Sequence, residues 1–185
     1  MTAEKLNGID VPALKAFADG VKSDPKKGVA LFSVSTQWEG QTRSASTVSR
    51  LTLGGKKIAR HFLILADEPL ELLGEDTAAN PQELLLSALN ACMTVGYAAN
   101  AAAMGIKLKS LKIESEGALD LRGFLGLDPA VKPGYVEVSY TVRIKSAAPR
   151  EKLEELHETV MKTSPNFSNF ATAIEMIPSL VVEAD

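Results

Sequence analysis

The clearest pattern of hydrophobic and polar positions in the chain is the strict alternation over residues 136–145. The apolar members of this segment are Val136, Val138, Tyr140, Val142 and Ile144, and a polar residue follows each of them. Side chains of a strand point alternately to its two faces, so this pattern predicts a strand with one face buried and the other in water.

A similar but less regular pattern runs through residues 29–65. Short apolar segments over residues 29–35, 42–53 and 58–65 are separated by glycine-containing turns, of which Gly54-Gly55 is the strongest. Gly-Gly between two such segments is typical of a tight hairpin. This part of the chain therefore predicts a meander of antiparallel strands.

The longest helical pattern covers residues 82–104. Asn80 is a favourable N-cap, Pro81 suits the first helical position, and Gly105 is a typical C-terminal stop. The segment is apolar on most of its sides, which indicates a buried helix. In a chain of modest length, such burial predicts that a sheet, a second chain or both surround the helix.

The remaining segments complete an α+β pattern. We predict a short helix over residues 11–18, an amphipathic helix over residues 149–163 that Ser164-Pro165-Asn166 breaks, and a last strand over residues 173–182, interrupted at Pro178. Strands, a long helix, further strands and a second helix in this order indicate helices packed against antiparallel sheets. Residues 1–28 are interpreted as a helical appendage with a linker, and residues 29–185 as the main domain.

The composition is that of an ordinary soluble globular protein. Hydrophobic residues make up 45% of the 185 residues, and the net charge is −3. This charge provides no general electrostatic surface for nucleic acid. We therefore do not expect a nucleic acid as a partner. No uninterrupted apolar segment reaches about 18 residues, and the N-terminus lacks the pattern of a secretory signal, so we do not expect a membrane partner either. A lone cysteine is compatible with a reducing compartment, so we expect a cytoplasmic protein.

The single cysteine, Cys92, limits the chemistry of the chain most strongly. One thiol cannot form an internal disulfide or a cysteine-rich metal site. It can be an inert buried residue, because free cysteine is often buried, or a reactive nucleophile if a nearby cation favours the thiolate. Arg43, Arg50, Arg60 and Arg122 are candidates for that cation, and spacing alone does not choose between them.

The two histidines, His61 and His157, are isolated from each other and from any second cysteine. They do not form a convincing zinc site. We expect neither a metal nor another cofactor, and we expect His157 to lie at the solvated edge of its amphipathic helix. Two aromatic residues near Ser164, Phe167 and Phe170, are interpreted as core residues or as the wall of a pocket.

The segment Asn80-Pro-Gln-Glu-Leu-Leu-Leu-Ser-Ala-Leu-Asn-Ala-Cys92 resembles the central-helix motif of the OsmC/Ohr family. The later strand, helix and Ser164-Pro165 follow the same order, so the resemblance covers about residues 29–183. It implies an α+β fold in which antiparallel sheets surround a long buried central helix, and an intertwined homodimer with two sites at its interface. Active members of the family reduce organic hydroperoxides with two cysteines, assisted by an arginine and a glutamate.

Only part of the family's site transfers to this chain. The resemblance implies that Cys92 is the peroxidatic cysteine and that Arg43 is the assisting arginine. Gln82 stands where the family has its glutamate, and glutamine can bond to an arginine without supplying a negative charge. Ser164 stands where the family has its resolving cysteine. A sulfenate on Cys92 would then have no internal thiol partner, and recycling would require an external thiol reductant.

The distance between Gln82 and Cys92 along one helix is about 15 Å. A partner chain or a bend must therefore bring both into one site. Three alternatives stay open on this basis. The first is a one-cysteine, thiol-dependent peroxidase acting on small apolar organic hydroperoxides in an oxidative-stress response. The second is a non-catalytic protein that binds a small ligand or senses oxidation, and a dimer with an inert cysteine is a third alternative.

Overall fold

The N-terminal part of the computed structural model, which describes residues 5–183, is a small hairpin followed by a helix. Its elements are β1 (Lys5–Leu6), β2 (Ile9–Asp10) and α1 (Val11–Ser23). The carboxylate of Asp10 accepts the Ala13 N–H at 2.9 Å and caps α1, as the sequence predicts. Asn7 donates to the Ile106 carbonyl and accepts the Leu108 N–H, both at 2.9 Å, so the hairpin is tied to the chain that follows the central helix.

The meander predicted over residues 29–65 is an antiparallel sheet, which we call the N-terminal sheet. Its strands are β3 (Ala30–Phe32), β4 (Ser35–Trp38), β5 (Ser44–Leu53) and β6 (Lys56–Ala66). The strand β5 pairs with the other three, and its ladder with β6 shifts register at a bulge between Val48 and Arg50. Gly54 and Gly55, with φ of 53° and 78°, form the predicted turn, because both require the left-handed region.

The large apolar side chains of the N-terminal sheet are exposed in the single chain. Phe32 is 74% exposed, Trp38 72% and Leu63 63%. The other members of this set are Leu31, Ile58, Phe62, Ile64 and Leu65. Exposed apolar side chains in this number indicate an interaction site rather than a solvated surface.

The central helix, α2 (Pro81–Ala103), begins and ends where the sequence predicts. Asn80 Oδ1 accepts the Glu83 N–H at 2.8 Å, and Glu83 Oε2 accepts the Asn80 N–H at 2.9 Å. This reciprocal pair is a capping box, which satisfies backbone donors that the first turn leaves free. Gly105, with φ of 72°, follows the end of the helix in the left-handed conformation.

The core forms between one face of α2 and the elements that follow it. These are β7 (Leu108–Ala118), β8 (Glu137–Ser146), α4 (Arg150–Thr163) and α5 (Pro165–Ala171), while the short α3 (Leu121–Phe124) between β7 and β8 lies outside the core. The strands β7 and β8 form an antiparallel hairpin, which confirms the strand predicted from the alternating pattern. The buried side chains of the core are Leu89, Met93, Tyr97, Ala101, Ile106, Leu156 and Val160. Together with the N-terminal sheet, these elements confirm the α+β fold with antiparallel sheets and a central helix.

The central helix is buried on one side only. Met93 and Tyr97 are fully buried, whereas Val95 is 68% and Leu85 is 43% exposed. The prediction of burial on all sides is therefore not met within one chain. The physical reason is that a single layer, formed by α4, α5 and the β7–β8 hairpin, covers one face of the helix.

One prediction for the C-terminal part is wrong. Residues 173–182 form no strand, and their apolar side chains are exposed, with Leu180 at 87% and Ile177 at 85%. A strand needs a neighbouring ladder, and none lies beside this segment in the described part of the chain. The predicted break at Ser164 is confirmed, since α4 ends at Thr163, and a short helix, α5, follows it with Ser164 as N-cap and Pro165 as first helical residue.

The buried carboxylate of Asp67 organises the loop between β6 and α2. Asp67 is 0% exposed and accepts five hydrogen bonds, from the hydroxyls of Thr42 and Thr77 and from the N–H groups of Glu68, Glu75 and Thr77. The bond from Thr42 is the main reason why the pKa of Asp67 lies well below its ordinary value, and the bonds from Thr77 and Glu68 add to it. This carboxylate holds the loop against the start of β5.

We expect Asp67→Asn to lower the melting temperature by several degrees, because the amide offers one acceptor oxygen and turns an N–H₂ toward donors. A lowered pKa in the folded state contributes stability above about pH 4 that is lost as the pH falls through the folded value. The difference between wild type and variant should therefore be largest near neutral pH and shrink in acid, as followed by circular dichroism. Asp76→Asn, at an exposed position of the same loop, is the control, and an equal loss in both variants would contradict this role.

Candidate functional site

The sulfur of Cys92 lies 3.5 Å from the hydroxyl oxygen of Ser164. Cys92 projects from the middle of α2 and is partly buried, and Ser164, between α4 and α5, is 4% exposed. The residue at the family's peroxidatic position and the residue at its resolving position are thus side by side, 72 residues apart in sequence.

The orientation of Ser164 is determined by the start of α5. Its hydroxyl oxygen accepts the Phe167 N–H at 3.3 Å as the N-cap of that helix, and its own N–H donates to the Val160 carbonyl at 2.8 Å. Val160 is a fully buried residue of α4. The hydroxyl is therefore held beside Cys92 by both helices that meet at this point.

Residues near this pair line a cavity of about 270 Å³, although Cys92 and Ser164 themselves are not among its lining residues. Leu89, one turn before Cys92 on α2, and Phe167, whose N–H bonds to Ser164, both line it. The other lining residues are Lys132, Tyr135, Val136, Glu137, Val138, Tyr140, Phe170 and Ala171. Phe167 and Phe170 also pack against the core, so the two interpretations of these residues are compatible. The walls of the cavity are mostly apolar and aromatic.

Arg43 does not contact Cys92 in the single chain. It lies just before β5, where its guanidinium forms an ion pair with Glu75 and donates to the Glu39 carbonyl at 3.2 Å. Both side chains of the ion pair are about 40% exposed, at 41% and 42%. The arginine therefore has a carboxylate partner, but that partner is Glu75 in the loop before α2 rather than residue 82.

Gln82 also lies apart from Cys92. It occupies the first turn of α2, where its carbonyl accepts a hydrogen bond from the Tyr135 hydroxyl at 3.3 Å. Its side chain borders a second and larger cavity of about 980 Å³, which neither Cys92 nor Arg43 lines. Within residues 5–183, the four predicted site positions thus separate into the pair of Cys92 with Ser164 and two distant positions.

The larger cavity has apolar walls and an acidic rim. Its apolar lining residues include Leu72, Leu73, Leu86, Leu119, Leu121, Phe124, Leu125 and Pro133. The charged lining residues are Glu68, Glu71, Glu83 and Glu116. Of these, Glu83 and Glu68 bond to the N-cap residue Asn80. Two of these four glutamates therefore also stabilise the N-terminus of α2.

His157 is not at a solvated edge, contrary to the prediction. Its Nδ1 hydrogen-bonds to the hydroxyl of Tyr97, and its ring lies 6.2 Å from the Tyr97 ring, nearly parallel to it at 17°. Tyr97 is 0% exposed, and burial raises its pKa, with a smaller contribution from Tyr140. The hydroxyl of Tyr97 therefore keeps its proton and needs this partner inside the core.

We expect Tyr97→Phe to lower the free energy of unfolding by about 1 kcal/mol, the usual net worth of one buried hydrogen bond. Urea denaturation of wild type and variant measures this difference. Tyr140→Phe is the control, because no hydrogen bond of the Tyr140 hydroxyl is observed among residues 5–183, although its ring also lies beside His157 at 6.4 Å. Equal stability of Tyr97→Phe and wild type would contradict the role of this bond.

Sequence reasoning missed Glu75, the partner of Arg43, and the pairing of Tyr97 with His157. Glu75 lies in a loop, where an acidic residue is most often solvated, so no local signal distinguishes it. His157 and Tyr97 belong to different helices, and only the packing of α4 on α2 brings them together.

The central helix is long and apolar enough, by length and composition alone, to cross a membrane, with a mean hydropathy of 1.3 over its most apolar window. One such helix is weak evidence of a membrane span. Its buried face packs with Leu156 and Val160 of α4 in the core of the fold. We therefore interpret α2 as the central helix of the domain.

The chain is similar to known proteins of one family. The family model described as OsmC-like protein matches residues 74–178, more than half of the chain. No curated protein matches the chain. Among solved structures, the OsmC-like protein of Mycoplasma pneumoniae superposes with a TM-score of 0.60 at 18% identity, covering 76% of this chain and 87% of that one.

Two further solved structures share the fold. A putative osmotic stress induced and detoxification response protein of Psychrobacter arcticus has a TM-score of 0.57 at 17% identity, over 75% of this chain and 87% of that one. An OsmC-like protein of unknown function from Vibrio cholerae has a TM-score of 0.54 at 16% identity, over 75% and 92%. At these identities the similarity establishes the fold alone.

Proposed function

Because the chain belongs to the OsmC-like family, we propose that it reduces organic hydroperoxides through Cys92, as a thiol-dependent peroxidase with an external thiol reductant. The observation that carries this proposal is the position of Cys92, whose sulfur lies 3.5 Å from the Ser164 hydroxyl, while Leu89 and Phe167 near this pair line a largely apolar cavity. An inert core cysteine would need no hydroxyl partner.

The reaction proceeds in three steps. The Cys92 thiolate attacks the O–O bond of the hydroperoxide, becomes a sulfenic acid and releases the alcohol once the leaving oxygen takes a proton. The chain has one cysteine, so a low-molecular-weight or protein thiol condenses with the sulfenic acid, giving a mixed disulfide and water. A second external thiol then attacks this disulfide, which restores the Cys92 thiol and releases the oxidised reductant.

The smaller cavity supports a small apolar substrate. Its volume of about 270 Å³ and its lining of leucine, valine, tyrosine and phenylalanine side chains suit an aromatic or short branched substituent. Hydrogen peroxide, which has no such substituent, would gain nothing from these walls. We therefore expect a preference for organic hydroperoxides over hydrogen peroxide.

The assisting role of Arg43, with Gln82 orienting it, belongs to this proposal only if a second chain participates. Within one chain Arg43 is paired with Glu75, and Gln82 lies in the first turn of α2, away from Cys92 in the middle of the helix. A second copy of the chain could bring the N-terminal sheet, and with it Arg43, to Cys92.

We propose a homodimer for independent reasons of surface chemistry. The N-terminal sheet, the outer face of α2 and the segment 174–182 all expose large apolar side chains, such as Phe32, Val95 and Leu180. A monomer with three such surfaces would be prone to association. A second copy with the same three surfaces can cover them reciprocally.

The test is the consumption of cumene hydroperoxide by the purified protein, with dithiothreitol and dihydrolipoamide as alternative reductants. We expect turnover with at least one dithiol and slower consumption of hydrogen peroxide. A protein that reacts once with the hydroperoxide and is not recycled would favour a second function, that of a redox sensor. Gln82 and Ser164 are compatible with this function, because Gln82 supplies no carboxylate and Ser164 no thiol, the two groups that an efficient peroxidase of the family uses. Either activity is compatible with the reducing thiol pool of the cytoplasm, where we propose that the protein acts.

A further inference from the structure

The hydroxyl of Ser164 has two hydrogen-bonding neighbours, the Phe167 N–H and the Cys92 sulfur. The Phe167 N–H, 3.3 Å away, can only donate, so the oxygen of Ser164 accepts there. The hydrogen of the same hydroxyl is then free to point at the Cys92 sulfur, 3.5 Å away. Once Cys92 is a thiolate, its sulfur can only accept, so the Ser164 hydroxyl is then the donor of this bond.

We propose that Ser164 acts as a hydrogen-bond donor that stabilises the Cys92 thiolate, at the position where the family has a second cysteine. This inference rests on the proposed function and assigns to Ser164 a role in the first step of it. No atoms are transferred between the two residues: the hydroxyl keeps its proton and only bonds to the negative sulfur.

Burial makes this bond effective. Ser164 is 4% exposed, so water does not compete for its hydroxyl, and a bond from a donor to an ionised acceptor is about twice as strong as a neutral one. A thiolate is often stabilised by a cation or by a helix N-terminus, and the helix N-terminus beside this sulfur is that of the seven-residue α5, which Ser164 itself caps. Arg43 is paired with Glu75, and Cys92 lies about three turns from the N-terminus of α2. Within residues 5–183, Ser164 is the side chain observed to hydrogen-bond Cys92.

A purely structural role for Ser164 is the competing explanation, since it also caps α5. The two roles can be separated because glycine is nearly as good as serine at an N-cap, whereas alanine is not. Ser164→Gly removes the donor and largely keeps the helix start. Ser164→Ala removes both, and Ser164→Thr keeps both.

The experiment measures three quantities for these variants: the ultraviolet absorbance of the thiolate as a function of pH, the rate at which one equivalent of cumene hydroperoxide oxidises Cys92, and the melting temperature. We expect Ser164→Gly and Ser164→Ala to react roughly tenfold more slowly at neutral pH, the factor that one charge-assisted hydrogen bond supplies, with thiolate absorbance appearing at higher pH. Only Ser164→Ala should lose much thermal stability. Ser164→Thr should behave as wild type.

Ser168→Ala is the matched control, because Ser168 lies on the exposed side of the same short helix and does not bond to Cys92. Wild-type reactivity and wild-type thiolate absorbance in Ser164→Gly would overturn the inference while leaving the proposed function intact. If wild-type protein itself is not oxidised by the hydroperoxide, the proposed function fails. The thiolate absorbance would still show whether Ser164 bonds to the sulfur.

Discussion

Cys92→Ser should reduce the consumption of organic hydroperoxide by more than about a hundredfold, to the rate of the reductant alone, because a serine hydroxyl is not ionised at neutral pH and does not attack an O–O bond. The change removes only the nucleophile. Serine is close in size to cysteine and the site is only partly buried, so the fold should be retained. Hydroperoxide consumption at equal protein concentration, beside the circular dichroism spectrum, measures both expectations.

Thr94→Ser is the control for this substitution, since Thr94 is an exposed residue two positions further along α2 whose hydroxyl bonds to the Asn90 carbonyl of the same helix. It should keep wild-type activity. Equal turnover by wild type and Cys92→Ser would remove the cysteine from the reaction, and the consumption would have to come from another group or from a contaminant.

The second large effect concerns association. We expect Leu63→Asp to convert a homodimer into monomers in sedimentation velocity at low micromolar concentration. Leu63 is 63% exposed on β6 within one chain, so a monomer would tolerate aspartate there within about 0.5 kcal/mol. Inside a dimer interface the same carboxylate would be buried without a partner, at a cost of several kcal/mol.

Lys145→Asp is the control, because Lys145 is an exposed residue on the polar face of β8, away from the N-terminal sheet. It should leave association unchanged. A wild-type protein that sediments as a stable monomer would contradict the homodimer, and with it the participation of Arg43 in a site built from two chains.

The elements that local chemistry determines could be predicted from the sequence. Asn80 and Pro81 define the start of α2, Gly105 its end, and the alternation over residues 136–145 defines β8. Each of these signals acts within a few residues of the structure it determines. The fold class follows from their order along the chain and agrees with the structure.

The errors occur where long-range contacts decide the structure. Segment 173–182 has the composition of a strand, but a strand forms only beside a ladder, and one chain provides none within its described residues. His157 has a polar side chain on an amphipathic helix, and only the approach of α2 makes Tyr97 its partner. In both cases the sequence contains the side chains but not the neighbour that determines their environment.

The candidate site divides in the same way. The family resemblance identified positions 92 and 164, and the structure brings these two side chains together. The resemblance could not indicate that Glu75 would pair with Arg43, because that contact joins the turn before β5 to a loop 32 residues further on. The roles of Arg43 and Gln82 in catalysis stay predictions, which the structure of one chain does not test.

The most direct test of the central claim is mass spectrometry of Cys92 after the reduced protein reacts with one equivalent of cumene hydroperoxide in the presence of dimedone, which traps sulfenic acids. We expect one dimedone adduct, at Cys92, in wild type and none in Cys92→Ser. A wild-type protein that consumes no hydroperoxide and keeps an unmodified, free thiol at Cys92 would contradict the account.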